Sequence, residues 1–163
     1  MVEVARQQGM ELPEGEATSQ EPAEEPLPPL IAEAHEAIER GDLDAAVASY
    51  EKHLQESPAD AEAKAGLATV SLMRRTQGAD LAAAREAAAQ RPDDLDAQLL
   101  VADLDMLGGH VDDAFARLLE QLRGADQETK DAVRARLLEL FEVAGPGDPR
   151  VAPARKRLAN LLF

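Results

Sequence analysis

Pro58 and Pro92 lie 34 residues apart, and the residues around them correspond. Ser57-Pro-Ala-Asp60 matches Arg91-Pro-Asp-Asp94. Gly41-Asp-Leu-Asp-Ala-Ala-Val47 matches Gly109-His-Val-Asp-Asp-Ala-Phe115 at an offset of 68, twice the same period. Repetition at this spacing narrows the fold sharply. Each unit is one supersecondary piece that cannot bury its apolar face alone, so neighbours must stack to make a continuous core. Between breakers, the apolar spacing predicts helices over 30–40, 43–56, 60–75, 79–90, 94–107, 111–123, 127–143 and 149–162. The stops are Gly41, Pro58, Gly78, Pro92, Gly108-Gly109, Gly124 and Gly145-Pro-Gly147. Asp42, Asp60, Asp94 and Asp126 stand where a side-chain oxygen can accept the free N–H groups of a first helical turn. Asp148 followed by Pro149 reads as the strongest start, a capping residue with proline at the first helical position.

Hydrophobic residues make up 45% of the 163, yet aromatic ones only 2%. Alanine and leucine carry the apolar content, and β-branched strand formers are scarce, which argues for an all-α fold closed by near approach of helices. A 34-residue period with a helix–turn–helix in each unit resembles the tetratricopeptide repeat (TPR). The expected architecture is a TPR superhelix of three helical hairpins plus two C-terminal helices. In the first unit Gly41 takes the turn, Ala46 the small position, Tyr50 the aromatic position and Pro58 the close. In the third, Gly109, Ala114 and Leu118 correspond, with Ala102 small on the first helix. The middle unit keeps Leu67, Ala68, Ala87 and Pro92 but has Arg75 where the turn glycine belongs, and its second helix is nearly all alanine. A displaced, loosely packed second hairpin is expected there.

The chain divides at residue 30. Residues 1–29 hold five of the ten prolines and seven acids against one base, a composition that reads as a flexible acidic Pro-rich linker. Residues 30–163 read as the TPR domain with a C-terminal amphipathic helix. The net charge of −15 opposes nucleic acid and anionic membrane as partners. Neither a run long enough to span a bilayer nor an apolar leader region is present in the sequence, so a cytoplasmic location is expected. There is no cysteine, and His35, His53 and His110 have no ligand spacing on any one helix. Acid pairs such as Asp93-Asp94 and Asp112-Asp113 sit at helix starts, where they complement the dipole. No catalytic residue, metal or cofactor is expected, and the chain reads as a non-enzyme.

Two surfaces are candidates for protein partners. By repeat register the concave groove is lined by Ile31, His35, Ile38, Ala65, Thr69, Leu72, Leu99, Asp103 and Met106. The positions that form a carboxylate clamp in some TPRs are here Ile31, His35, Gly66, Asp96 and Leu100, so acidic C-terminal tails are excluded and apolar, partly unfolded segments suit the groove better. For Leu72 and Leu99, packing within the solenoid competes with groove lining. The second surface is the C-terminal segment. Arg150, Arg155, Lys156 and Arg157 give residues 149–163 a charge of +4 with no acid, while Val151, Ala154, Leu158 and Leu161 recur at helical spacing beside Leu162 and Phe163. This segment reads either as a cap on the last repeat or as a helical ligand for a partner's groove.

The repeats, the Gly145-Pro-Gly-Asp-Pro-Arg150 turn and the ending Ala154-Arg-Lys-Arg-Leu-Ala-Asn-Leu-Leu-Phe163 resemble the C-terminal part of bacterial chaperedoxins, thioredoxin-like proteins with a TPR tail. The resemblance covers residues 30–163. Val2 to Met10 resembles the last turns of a final thioredoxin helix, which implies a fragment of a longer protein. Redox chemistry does not carry over, since no cysteine is present to perform it. The resemblance implies holding of unfolded clients and docking on the chaperonin through Arg150, Arg155, Lys156, Arg157, Leu158, Leu161, Leu162 and Phe163. The competing reading is a TPR adaptor that assembles one specific complex.

Overall fold

The computed structural model describes residues 26–163, and every regular element among them is an α-helix. The order is α1 (Pro29–Glu39), α2 (Leu43–Glu56), α3 (Ala61–Thr76), α4 (Leu81–Gln90), α5 (Leu95–Leu107), α6 (Val111–Glu120), α7 (Gln127–Ala144) and α8 (Val151–Leu162). The readings placed on residues 1–25, a linker and a thioredoxin-helix remnant, lie outside the described residues.

Local chemistry sets the helix limits. Asp42, Asp60, Asp94 and Asp126 each accept the N–H three residues on, at 3.0, 3.1, 3.2 and 2.9 Å. Asp80 does the same for α4 at 2.9 Å, so that helix starts later than the sequence suggested. Asp148 does not cap α8. Its carboxylate closes on Arg150, accepting the backbone N–H at 2.9 Å and the guanidinium at 2.9 and 2.7 Å, and the helix begins only at Val151.

The repeat is carried into hydrogen-bond geometry. Gly41 has φ +77° and Gly109 φ +85°. After each, the next N–H reaches back to the helix, Asp42 to Ala37 O and His110 to Asp105 O, both at 2.8 Å. This is the paired closure that a left-handed glycine permits at a helix C-terminus. Arg75 stands at the equivalent place in the middle unit, and α3 runs on through Thr76 until Gly78 turns the chain at φ +72°. The consequence is the displaced hairpin. α1 packs on α2 and α5 on α6, but α3 and α4 do not pack as a pair; α4 lies against α5 instead.

Two main cores result. The first joins α1, α2 and the outer face of α3 through Ile31, Ala34, Ala37, Ala46, Val47, Tyr50, Ala63 and Val70. α2 and α3 come close at Gly66, where a Cβ would lie 2.6 Å from the Tyr50 ring. The larger core joins Leu72 of α3 to α5, α6, α7 and α8, with Phe115 and Phe141 edge to face at 5.0 Å. α7 packs on both α3 and α5, so it crosses the face those two first-of-pair helices share.

Candidate protein-binding site

The position of α7 decides what becomes of the expected groove. Leu72, Leu99 and Met106 are buried with Val133, Leu137, Leu140 and Phe141 in one cluster. Leu72 and Met106 are core residues beneath α7; Leu99 belongs to the same core and also lines a cavity of ≈ 240 Å³ with Arg75, Asp96, Leu100, Asp103 and Arg136. Asp103 lies at the wall of that cavity, held by cations. It is 1% exposed and accepts from Arg75 Nε and Nη2 at 3.0 and 3.1 Å and from Arg136 Nη1 at 2.6 Å. Arg75 Nη1 adds Glu139 of α7 at 2.7 Å. Four charges thus tie α3, α5 and α7 together. Burial works against the Arg75 charge, but Asp103 and Glu139 outweigh it and hold the guanidinium above its ordinary pKa. Burial pushes Arg136 below its own, with Asp103 opposing. The departure of Arg75 from the turn glycine was the sequence signal for this network; its partners on α7, far away in sequence, gave none.

Of the other groove residues Ile31 is buried in the first core, and the rest stay accessible at the α1 end. His35 and Thr69 are exposed, Ile38 and Ala65 half-buried. Ile31 and His35 line a cavity of ≈ 410 Å³ with Leu27, Pro28, Tyr50, Asp60, Glu62 and Ala63. The His35 ring stands edge-on to Tyr50 at 6.4 Å between centroids. Burial raises the Tyr50 phenol pKa. The bond from His53 Nε2 at 2.8 Å, then the backbone N–H of Ala63, hold the Asp60 carboxyl below its ordinary pKa. Tyr50, Asp60, Glu62 and Ala63 were not singled out as binding residues. Their convergence follows from packing α3 beside α1, which periodicity alone does not fix.

The C-terminal segment has two faces. Val151, Ala154 and Leu158 are buried in the larger core, and Leu161 and Leu162 pack against it. Leu158 is therefore not available to a partner, and Arg150 is engaged by Asp148. Arg155, Lys156, Arg157 and Phe163 are exposed. The Arg155 guanidinium lies 4.9 Å over the Phe141 ring.

The TPR model matches residues 74–163, more than half of the chain. The chain is a tetratricopeptide-repeat protein. Such repeats build surfaces for protein–protein interaction, and that is the functional class of this TPR chain. Proteins described only as uncharacterised in Mycobacterium tuberculosis and Mycobacterium bovis are similar to it, each 37% identical over 159 residues. The alignment covers 91% of this TPR chain and 48% of the relatives, so the chain spans about half their length. No solved structure matches it. No described helix is long and apolar enough to cross a membrane.

Proposed function

We propose that this chain is the protein-binding module of a thioredoxin-like chaperone, holding unfolded clients and docking on the chaperonin through the outer face of α8. The observation that carries this reading is the division of α8. Its apolar stripe is consumed by the core, yet Arg155, Lys156 and Arg157 remain exposed on a body of strongly acidic charge. A cap uses the stripe and the Arg155 contact with Phe141, but Lys156 and Arg157 have no such contact. A basic row on an acidic body steers encounter with an acidic partner surface. The resemblance of the final helix to the chaperedoxin tail supports the identity of that partner, and the cytoplasm is the compartment where it would be met.

A second reading, an adaptor for one specific complex, draws on the placement of α7. The inner face between α3 and α5 is covered, which leaves less apolar surface for unfolded clients than an open groove offers. A pull-down from bacterial lysate separates the two. Chaperonin subunits and a mixture of clients are expected from the first. A single stoichiometric partner with no chaperonin would overturn it in favour of the second.

A further inference from the structure

We infer that the cavity between α4, α5 and α6 binds the main chain of an extended, uncharged stretch of a partner polypeptide, one residue of which gives its N–H to Asp113 and accepts at its C=O from Arg117. The inference rests on the protein-binding reading and names what a partner offers at this surface. The cavity has a volume of ≈ 630 Å³, and its walls are polar apart from Ala116. That volume falls in the range of about 300–1,000 Å³ usual for ligand sites. Most of its charges are already paired. Arg85 bridges to Asp105, which is 1% exposed, and Glu120 is paired with Arg123 at 3.2 Å. Arg117 and Asp113 remain without an opposite charge among the described residues.

Arg117 gives an independent reason to place a ligand there. Its Nε is buried and has no hydrogen-bond partner among the described residues. Such orphaned donors are few in native proteins, and a missing ligand is one of their ordinary causes. The rest of the guanidinium is held. Nη1 donates to Gln98 Oε1 at 2.7 Å, and Gln98, 4% exposed, donates from Nε2 to the Ala88 and Pro92 carbonyls at 3.3 Å. Asp113 and Arg117 stand at i and i+4 on α6, the spacing at which opposite charges close on each other. Arg117 is turned to Gln98 instead, and the pair is left open. The two charges cancel, so neither a cation nor an anion is favoured over a neutral group that both donates and accepts. In an extended strand the N–H and C=O of one residue point to the same side, so a single residue answers both. Nε is covered in the free chain, and a small turn of the half-buried Arg117 head about its bond to Gln98 brings it to the cavity.

The whole chain, labelled for NMR, is titrated with acetyl-tetraalanine N-methylamide, and the Arg117 Nε–H signal, assigned through its loss in Arg117→Lys, is followed. The peptide is expected to shift that signal together with the Ala116 methyl signal. The same peptide methylated on its amide nitrogens has no N–H to give and should bind about ten-fold more weakly. Asp113→Ala, a change at an exposed side chain, should weaken the parent peptide to a similar degree. Acetate and methylammonium ions should leave the Arg117 signal in place. An Arg117 signal that the peptide does not move means the orphaned donor meets water only, and overturns the inference. Equal binding of the methylated peptide, or a shift produced by acetate alone, overturns it as well. If the peptide fails at Arg117 while the chain still captures chaperonin, the reading of α8 stands and this one falls. If the peptide shifts Arg117 in a chain that captures no chaperonin, this site stands and the chaperonin reading falls.

Discussion

Asp103 is the residue on which the closed inner face depends most. It lies 1% exposed among groups from three helices, and its two oxygens answer Arg75 and Arg136. Asp103→Ala leaves two guanidiniums without their shared partner in a mostly buried site, where breaking such a pair costs about 3–5 kcal/mol. A urea titration is expected to show an unfolding free energy lower by that amount, whereas an unchanged midpoint would mean the network contributes nothing. Gly66 is sensitive for a steric reason. A Cβ there meets the Tyr50 ring at 2.6 Å, and overpacking of this kind costs about 1–3 kcal/mol, read as a fall in Tm for Gly66→Ala. Acid stability is set by capping and turn carboxylates. Asp60, Asp126 and Asp148 have folded pKa values below the ordinary 3.8, Asp148 at about 2 through its bonds to Arg150. A depressed pKa gives stability that is complete above the unfolded value and is lost as pH falls through the folded one. The urea midpoint should therefore hold from pH 7 to 5 and decline from about 4 toward 2. In Asp148→Asn that decline should be shallower.

At the scale of elements, the sequence foresaw the helices well and their assembly only in part. Caps and breakers act locally, so Asp42, Gly41, Asp94 and Gly109 marked real boundaries. Arg75 in place of glycine also foretold the misplaced second hairpin. The path of α7 was hidden, because Val133, Leu137, Leu140 and Phe141 would suit any apolar neighbour; only the assembled fold shows that α3 and α5 receive them. The same lack of address misled the reading of Met106 as a groove residue and left Leu72 open between core and groove. α4 buries only Ala84 and Ala88 and touches mainly α5. Its amides are expected to exchange at least ten-fold faster than those of α5 in hydrogen-exchange mass spectrometry. Equal protection would contradict the loose packing. α8, by contrast, is integral to the larger core. Leu158→Ala should cost about 2–5 kcal/mol, and removal of residues 149–163 should destabilise the α5–α7 packing and not leave the repeats intact.

The described residues form an acidic repeat array in which α7 packs across α3 and α5 and α8 is basic outside and apolar inside. The surface proposed to meet the chaperonin is the exposed side of α8, with Arg155, Lys156 and Arg157. The central claim is that α8 holds the fold with one face and a partner with the other. The most direct test is capture of chaperonin by the variant Arg155→Glu, Lys156→Glu, Arg157→Glu, measured beside its Tm. All three side chains are exposed and only Arg155 gives up a contact, that over Phe141, so the account predicts a Tm within a few degrees of the parent and capture lost at low salt as well as at high salt. Undiminished capture by a folded variant would contradict it.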